Sequence, residues 1–135
     1  NFEKISAHRK KELTGKVEIK SNINLKAVNT EKVELVKDKD VFKLDFEFSI
    51  IYTPDMAEIK FEGYVLAILE KEMAKELVKK WKTKKVPEEL RIPLFNLILT
   101  KCNLRALQLE EELNLPTHVP LPRIQPQQNN QGYVQ

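Results

Sequence analysis

The chain has 135 residues, 23 Lys and Arg against 20 Asp and Glu, a net charge of +3 and 41% apolar residues. That length fits one domain with a real core, and the composition excludes wholesale disorder. A single cysteine, Cys102, excludes an intrachain disulfide scaffold, no apolar run approaches bilayer length, and three surplus charges do not make a nucleic-acid binder.

Phe2 and Ile5 open the chain with the weak apolar spacing of a short edge strand within residues 1–11. From Gly15 to Val28, Val17, Ile19, Ile23 and Leu25 alternate with Lys, Glu and Asn, and Ser21 and Ala27 keep the phase. Period two with β-branched residues inside predicts a half-buried strand. Residues 33–36 form a short apolar patch, and residues 37–40 read as a solvated turn. Phe42, Leu44, Phe46, Phe48 and Ile50 then alternate with Lys43, Asp45, Glu47 and Ser49, which is the strongest strand signal. Thr53-Pro54-Asp55 supplies a turn, and Ala57, Ile59, Phe61, Gly63 and Val65 continue as the second arm of an antiparallel hairpin. Beyond Glu62 the polar side gives way to Tyr64, Leu66 and Ile68, so a helix is expected to cover that second face.

Met73, Ala74, Leu77, Val78 and Trp81 share one stripe and predict a helix over residues 70–84. Pro87 with Glu88 and Glu89 suits a first turn, and Pro93 is expected to begin the main helix, with residues 88–92 as a preceding turn. Leu94, Leu97, Ile98, Cys102, Ala106, Leu109 and Leu113 give that helix a broad apolar surface, which implies burial on several sides and an oligomer. Alternating prolines in residues 115–124 forbid helix and favour an extended segment with apolar teeth. The Gln- and Asn-rich residues 125–135 read as a disordered tail, leaving 1–124 as the domain.

Catalysis has little support. The histidines are His8 and His118, and Cys102 on an apolar stripe is better read as a buried small hydrophobe than as the partner of His118. No metal-ligand spacing or Gly-rich phosphate loop is present, so no cofactor is expected, and Glu110-Glu111-Glu112 looks like a solvated face. Lys79, Lys80, Lys82, Lys84 and Lys85 surround Trp81 and offer phosphate contacts for RNA or the ribosome, against the plainer reading of lysines complementing a helix C-terminus. The surplus of apolar surface points more strongly to binding of polypeptide.

A leading strand near Phe2, a long alternating strand, an aromatic hairpin, a helix opened by Pro93-Leu94-Phe95 and closed by Leu113-Asn114-Leu115-Pro116, and the following Val119-Pro120-Leu121-Pro122 together resemble the SecB export-chaperone family, in an archaeal-type, solitary form. The resemblance implies an α+β fold, a three- to four-stranded antiparallel sheet packed with a short helix and a long C-terminal helix. It implies a non-enzymatic, ATP-independent cytoplasmic holdase for unfolded or nascent polypeptides, assembled as a dimer or tetramer. By the same resemblance, Phe42, Phe46, Phe61 and Tyr64 fall in the groove or the core, and Leu113, Leu115, Val119, Leu121 and Ile124 in the peptide-binding loop. Two departures stand out: residues 125–135 offer no second C-terminal helix, and the slightly basic charge argues against docking on the SecA motor, which acidic bacterial members use. The Lys and Glu bias with only three glycines resembles heat-adapted proteins.

Overall fold

The computed structural model describes residues 1–31 and 38–124. The apolar patch at 33–36, Lys37 and the Gln/Asn-rich tail lie outside them. Four strands come first, β1 (Phe2–Arg9), β2 (Glu18–Glu31), β3 (Lys39–Thr53) and β4 (Ala57–Glu70), followed by helices α1 (Lys71–Trp81) and α2 (Glu88–Glu112). The strands form one antiparallel sheet in the order β1-β4-β3-β2. The expected strands are all present, and β3 is longer than expected: Lys39 and Asp40 pair with Glu70 and Leu69 instead of turning.

Alternation on β3 and β4 sends Phe42, Leu44, Phe46, Phe48, Ile50 and Tyr52, with Ile59, Phe61, Val65 and Leu69, to a single face. Both helices pack there. Ala74 and Leu77 come from α1, and Leu94, Ile98, Cys102, Ala106 and Leu109, spaced by four and finally three residues, form a stripe along α2. The second sheet face receives no helix among the described residues, contrary to expectation, and Leu66 and Ile68 there are 58% and 57% exposed.

On β2, Ile23 and Leu25 oppose Phe48 and Phe46, but the register slips at Lys26, so that Ala27 opposes Asp45 and Val28 opposes Leu44. One extra residue reverses the inward phase, which is a β-bulge. Ala27 therefore sits on the outer face and Val28 joins the core, correcting the unbroken alternation read from sequence. At the opposite edge Gly63 allows close approach: a Cβ there would lie 2.2 Å from the Asn1 carbonyl oxygen.

The long helix begins at Glu88, five residues before the expected start. Pro87 presets its entry, its carbonyl accepts the Leu90 and Arg91 amides at 3.0 and 2.8 Å, and Glu88 and Glu89 complement the dipole. Pro93 removes one backbone donor but sits on the exposed side, where water can satisfy the freed carbonyl. Helix α1 ends earlier than expected, at Trp81. Lys84 takes a left-handed conformation and the Lys85 amide returns to the Lys80 carbonyl at 3.1 Å, a Schellman-type stop. Asn114 closes α2 the same way, with Leu115 N–H on the Glu110 carbonyl at 2.8 Å.

Candidate functional site

A groove of about 680 Å³ runs between β2 and the α1–α2 connection. Its apolar lining comes from Ile23, Leu25, Val86, Trp81 and Phe95, and its charged lining from Lys26, Lys84, Lys85, Arg91 and Glu88. Four consecutive β2 residues, 23 to 26, line it. Since neighbours on a strand point to opposite faces, the groove follows the strand's edge. β2 is an outer strand bonded to β3 alone, so its free edge presents N–H and C=O groups without a strand partner among the described residues. An extended chain can add there by backbone hydrogen bonds while its side chains enter the groove.

Beyond α2, residues 113–124 form a strap whose first half is anchored and whose second half is exposed. Leu115 is buried in the core. Glu110, in the last turn of α2, is completely buried and accepts from the Tyr52 hydroxyl, from the His118 amide at 2.9 Å and from His118 Nδ1 at 3.0 Å. His118 Nε2 hydrogen-bonds Asn103 Oδ1 at 2.7 Å, and its ring stands edge-on to Phe48. The Pro116 carbonyl lies 2.8 Å from the Tyr52 oxygen as an alternative acceptor. Arg9 from β1 donates to the Leu113 and Asn114 carbonyls at 3.0 and 3.3 Å, placing positive charge at the helix C-terminus. Glu110 is thus no part of a solvated face, although Glu111 and Glu112 are exposed. With both ring nitrogens of His118 engaged elsewhere, Cys102 has no base in it, and burial pushes the Cys102 thiol up to about 12.

Burial, reinforced by the Glu110 carboxylate, also holds the Tyr52 phenol far above its usual range. Both groups stay protonated in the fold at pH values where the unfolded chain would release them, from about pH 9.0 for the thiol and 10.0 for the phenol. Raised folded values mean stability that is full below the unfolded pKa and lost as pH rises. Each group is expected to remove about 1.4 kcal/mol per pH unit above its unfolded value. Urea titrations at pH 8 to 11 check this, and Tyr52→Phe should flatten the decline; an equal slope in that variant refutes the assignment.

The sequence-derived candidates divide. Phe42, Phe46 and Phe61 are core residues, at most 3% exposed, on the helix-bearing face. Tyr64 lies on the other face, with the Lys43 ammonium 4.6 Å from its ring centroid. Leu113 and Val119 are half-buried, Leu115 is buried, and Leu121 and Ile124 are 52% and 66% exposed. The lysine cluster is spread around the helix end: Lys79 and Lys82 line a separate concavity beside Phe42, Lys80 pairs with Glu76 at 3.4 Å, and Lys84 and Lys85 line the β2 groove. Ile23, Leu25, Val86, Arg91 and Phe95 complete that groove and were not among the sequence candidates. The available signal was the alternation of β2, which becomes a site only once the strand order leaves that strand on the edge.

No family model and no curated protein matches the chain. Among solved structures it is similar to the Mycobacterium tuberculosis Rv1957 SecB-like chaperone in complex with a ChAD peptide from the Rv1956 HigA1 antitoxin, with a TM-score of 0.50, 15% identity, and coverage of 93% of this chain and 88% of that one. At that identity the likeness speaks for backbone architecture. The chain has the SecB-like α+β fold, a four-stranded antiparallel sheet with a short and a long helix on one face.

Proposed function

We propose that this protein is an ATP-independent holdase that keeps unfolded or nascent polypeptides in solution by binding their extended apolar segments. The observation that carries the reading is the free edge of β2 lying along a groove lined by both apolar and charged side chains, two of them aromatic. Backbone pairing is indifferent to sequence and the groove rewards apolar side chains, the combination a general client binder needs. The exposed, apolar Leu121 and Ile124 of the strap offer a second apolar surface apart from that groove. The similar Rv1957 chaperone was solved with a peptide bound, which supports polypeptide as the ligand class. Chaperoning by holding requires no catalytic group, and the buried Glu110–His118 pair serves to anchor the strap.

The same reading places a self-association surface on the outward side of α2, where Leu97 and Leu104 are 47% and 64% exposed. Suppression of aggregation of a chemically denatured client tests the function directly. At stoichiometric chaperone, light scattering by the client is expected to fall severalfold, and Phe95→Ser should abolish most of that protection, with circular dichroism checking that the variant is folded, since Phe95 also packs against the core. No protection at excess chaperone sinks the proposal.

A further inference from the structure

We infer that the β2 groove selects extended segments in which carboxylates flank an apolar or aromatic residue, a client class that rests on the peptide-holding role proposed above. The chain's small positive excess is concentrated here: Lys26, Lys84, Lys85 and Arg91 line the groove against Glu88 alone. Lys26 is drawn to Glu47 at 3.2 Å and Arg91 loosely to Glu88 at 3.8 Å, whereas no salt bridge among the described residues engages Lys84 or Lys85. Each aromatic ring already carries a cation on one face, with the Lys84 ammonium 4.9 Å from the Trp81 ring centroid and the Arg91 guanidinium 5.8 Å from that of Phe95. A basic segment therefore meets like charge beside both rings. A segment with carboxylates pairs with those cations while its neighbouring apolar side chain reaches Ile23, Leu25 and Val86.

Phosphate would meet the same cations, but a nucleic acid has no use for an unpaired strand edge or an aliphatic lining. The geometry therefore favours peptide. Three labelled peptides of equal length decide it, each with a central Leu-Phe pair flanked by Glu, by Gln or by Lys, read by fluorescence anisotropy on the full chain, with single-stranded oligouridine as competitor. The Glu peptide is expected to bind about tenfold tighter than the Gln peptide at low salt, with the gap closing as salt rises, and the Lys peptide weakest. Lys85→Glu with Arg91→Glu, both at exposed positions, should reverse the ranking in that variant so that the Lys peptide binds more tightly than the Glu peptide. If that variant does not fold, Lys85→Gln with Arg91→Gln should make the Glu and Gln peptides bind alike in that background. Equal binding of the Glu and Gln peptides, or a preference for Lys, overturns the selectivity and leaves the holding role standing. Tighter binding of the oligonucleotide overturns it in favour of nucleic acid. Failure of all three peptides removes the holding role itself.

Discussion

Glu110→Ala is expected to lower stability by about 3 kcal/mol or more, because it leaves two buried donors, the His118 amide and ring nitrogen, without their acceptor. A carboxylate in the last turn of a helix opposes the macrodipole, and no basic residue of that turn offsets it. Glu110 is tolerated because the Tyr52 hydroxyl, the His118 amide and the His118 ring all donate to it. Truncation would leave Tyr52 able to turn to the Pro116 carbonyl, while the His118 amide and Nδ1 would have no acceptor in a site that is 3% exposed at the ring. Glu110→Gln keeps one acceptor oxygen but sets an amide against the His118 donors, so an intermediate loss is expected. Denaturant midpoints at neutral pH measure the series. A loss below about 1 kcal/mol for the alanine variant would show that water replaces the carboxylate and that the cluster is not what pins the strap.

Leu115 and Leu121, six residues apart on one proline-rich segment, are expected to respond oppositely to the same change. Leu115 is 7% exposed and packs into the core, so Leu115→Asp buries a charge without a partner and should cost about 3 kcal/mol or more. Leu121 is 52% exposed, and Leu121→Asp should alter stability by no more than about 0.5 kcal/mol while weakening client capture in the aggregation assay. Equal stability losses at the two positions would mean that the outer strap is packed, and unchanged client capture by Leu121→Asp would remove that residue from the contact surface.

The contrast marks what was legible in the sequence. Alternation on β3 and the first half of β4 announced the sheet and its inward face because those strands are paired on both sides and the inward phase holds throughout. The proline run announced an extended strap. Which of its teeth bite into the core was invisible, because Leu115 is fixed by the turn at Asn114 and by contacts from distant strands. Glu110 read as one of three equivalent glutamates, since its burial comes from Tyr52 and His118 folding over it. The family resemblance puts the sheet aromatics in a groove or the core, and the strap in a peptide-binding loop. Phe42, Phe46 and Phe61 turned out to be needed for the core, and the groove along β2 arises from the sheet order, a non-local fact that no local pattern encodes.

The extra residue at Lys26 has a consequence for self-recognition. A long outer strand that could accept a client is equally open to copies of itself, and a regular ladder of fourteen residues would favour edge-to-edge pairing. The bulge breaks that ladder in its middle and sets a lysine at the break, so two copies laid edge to edge would fall out of step and bring like charges together. Short client segments, engaging only a few residues on one side of the break, are spared that mismatch. On the proposed holding role, a single inserted residue would leave the edge open to short clients while making it a poor template for its own kind.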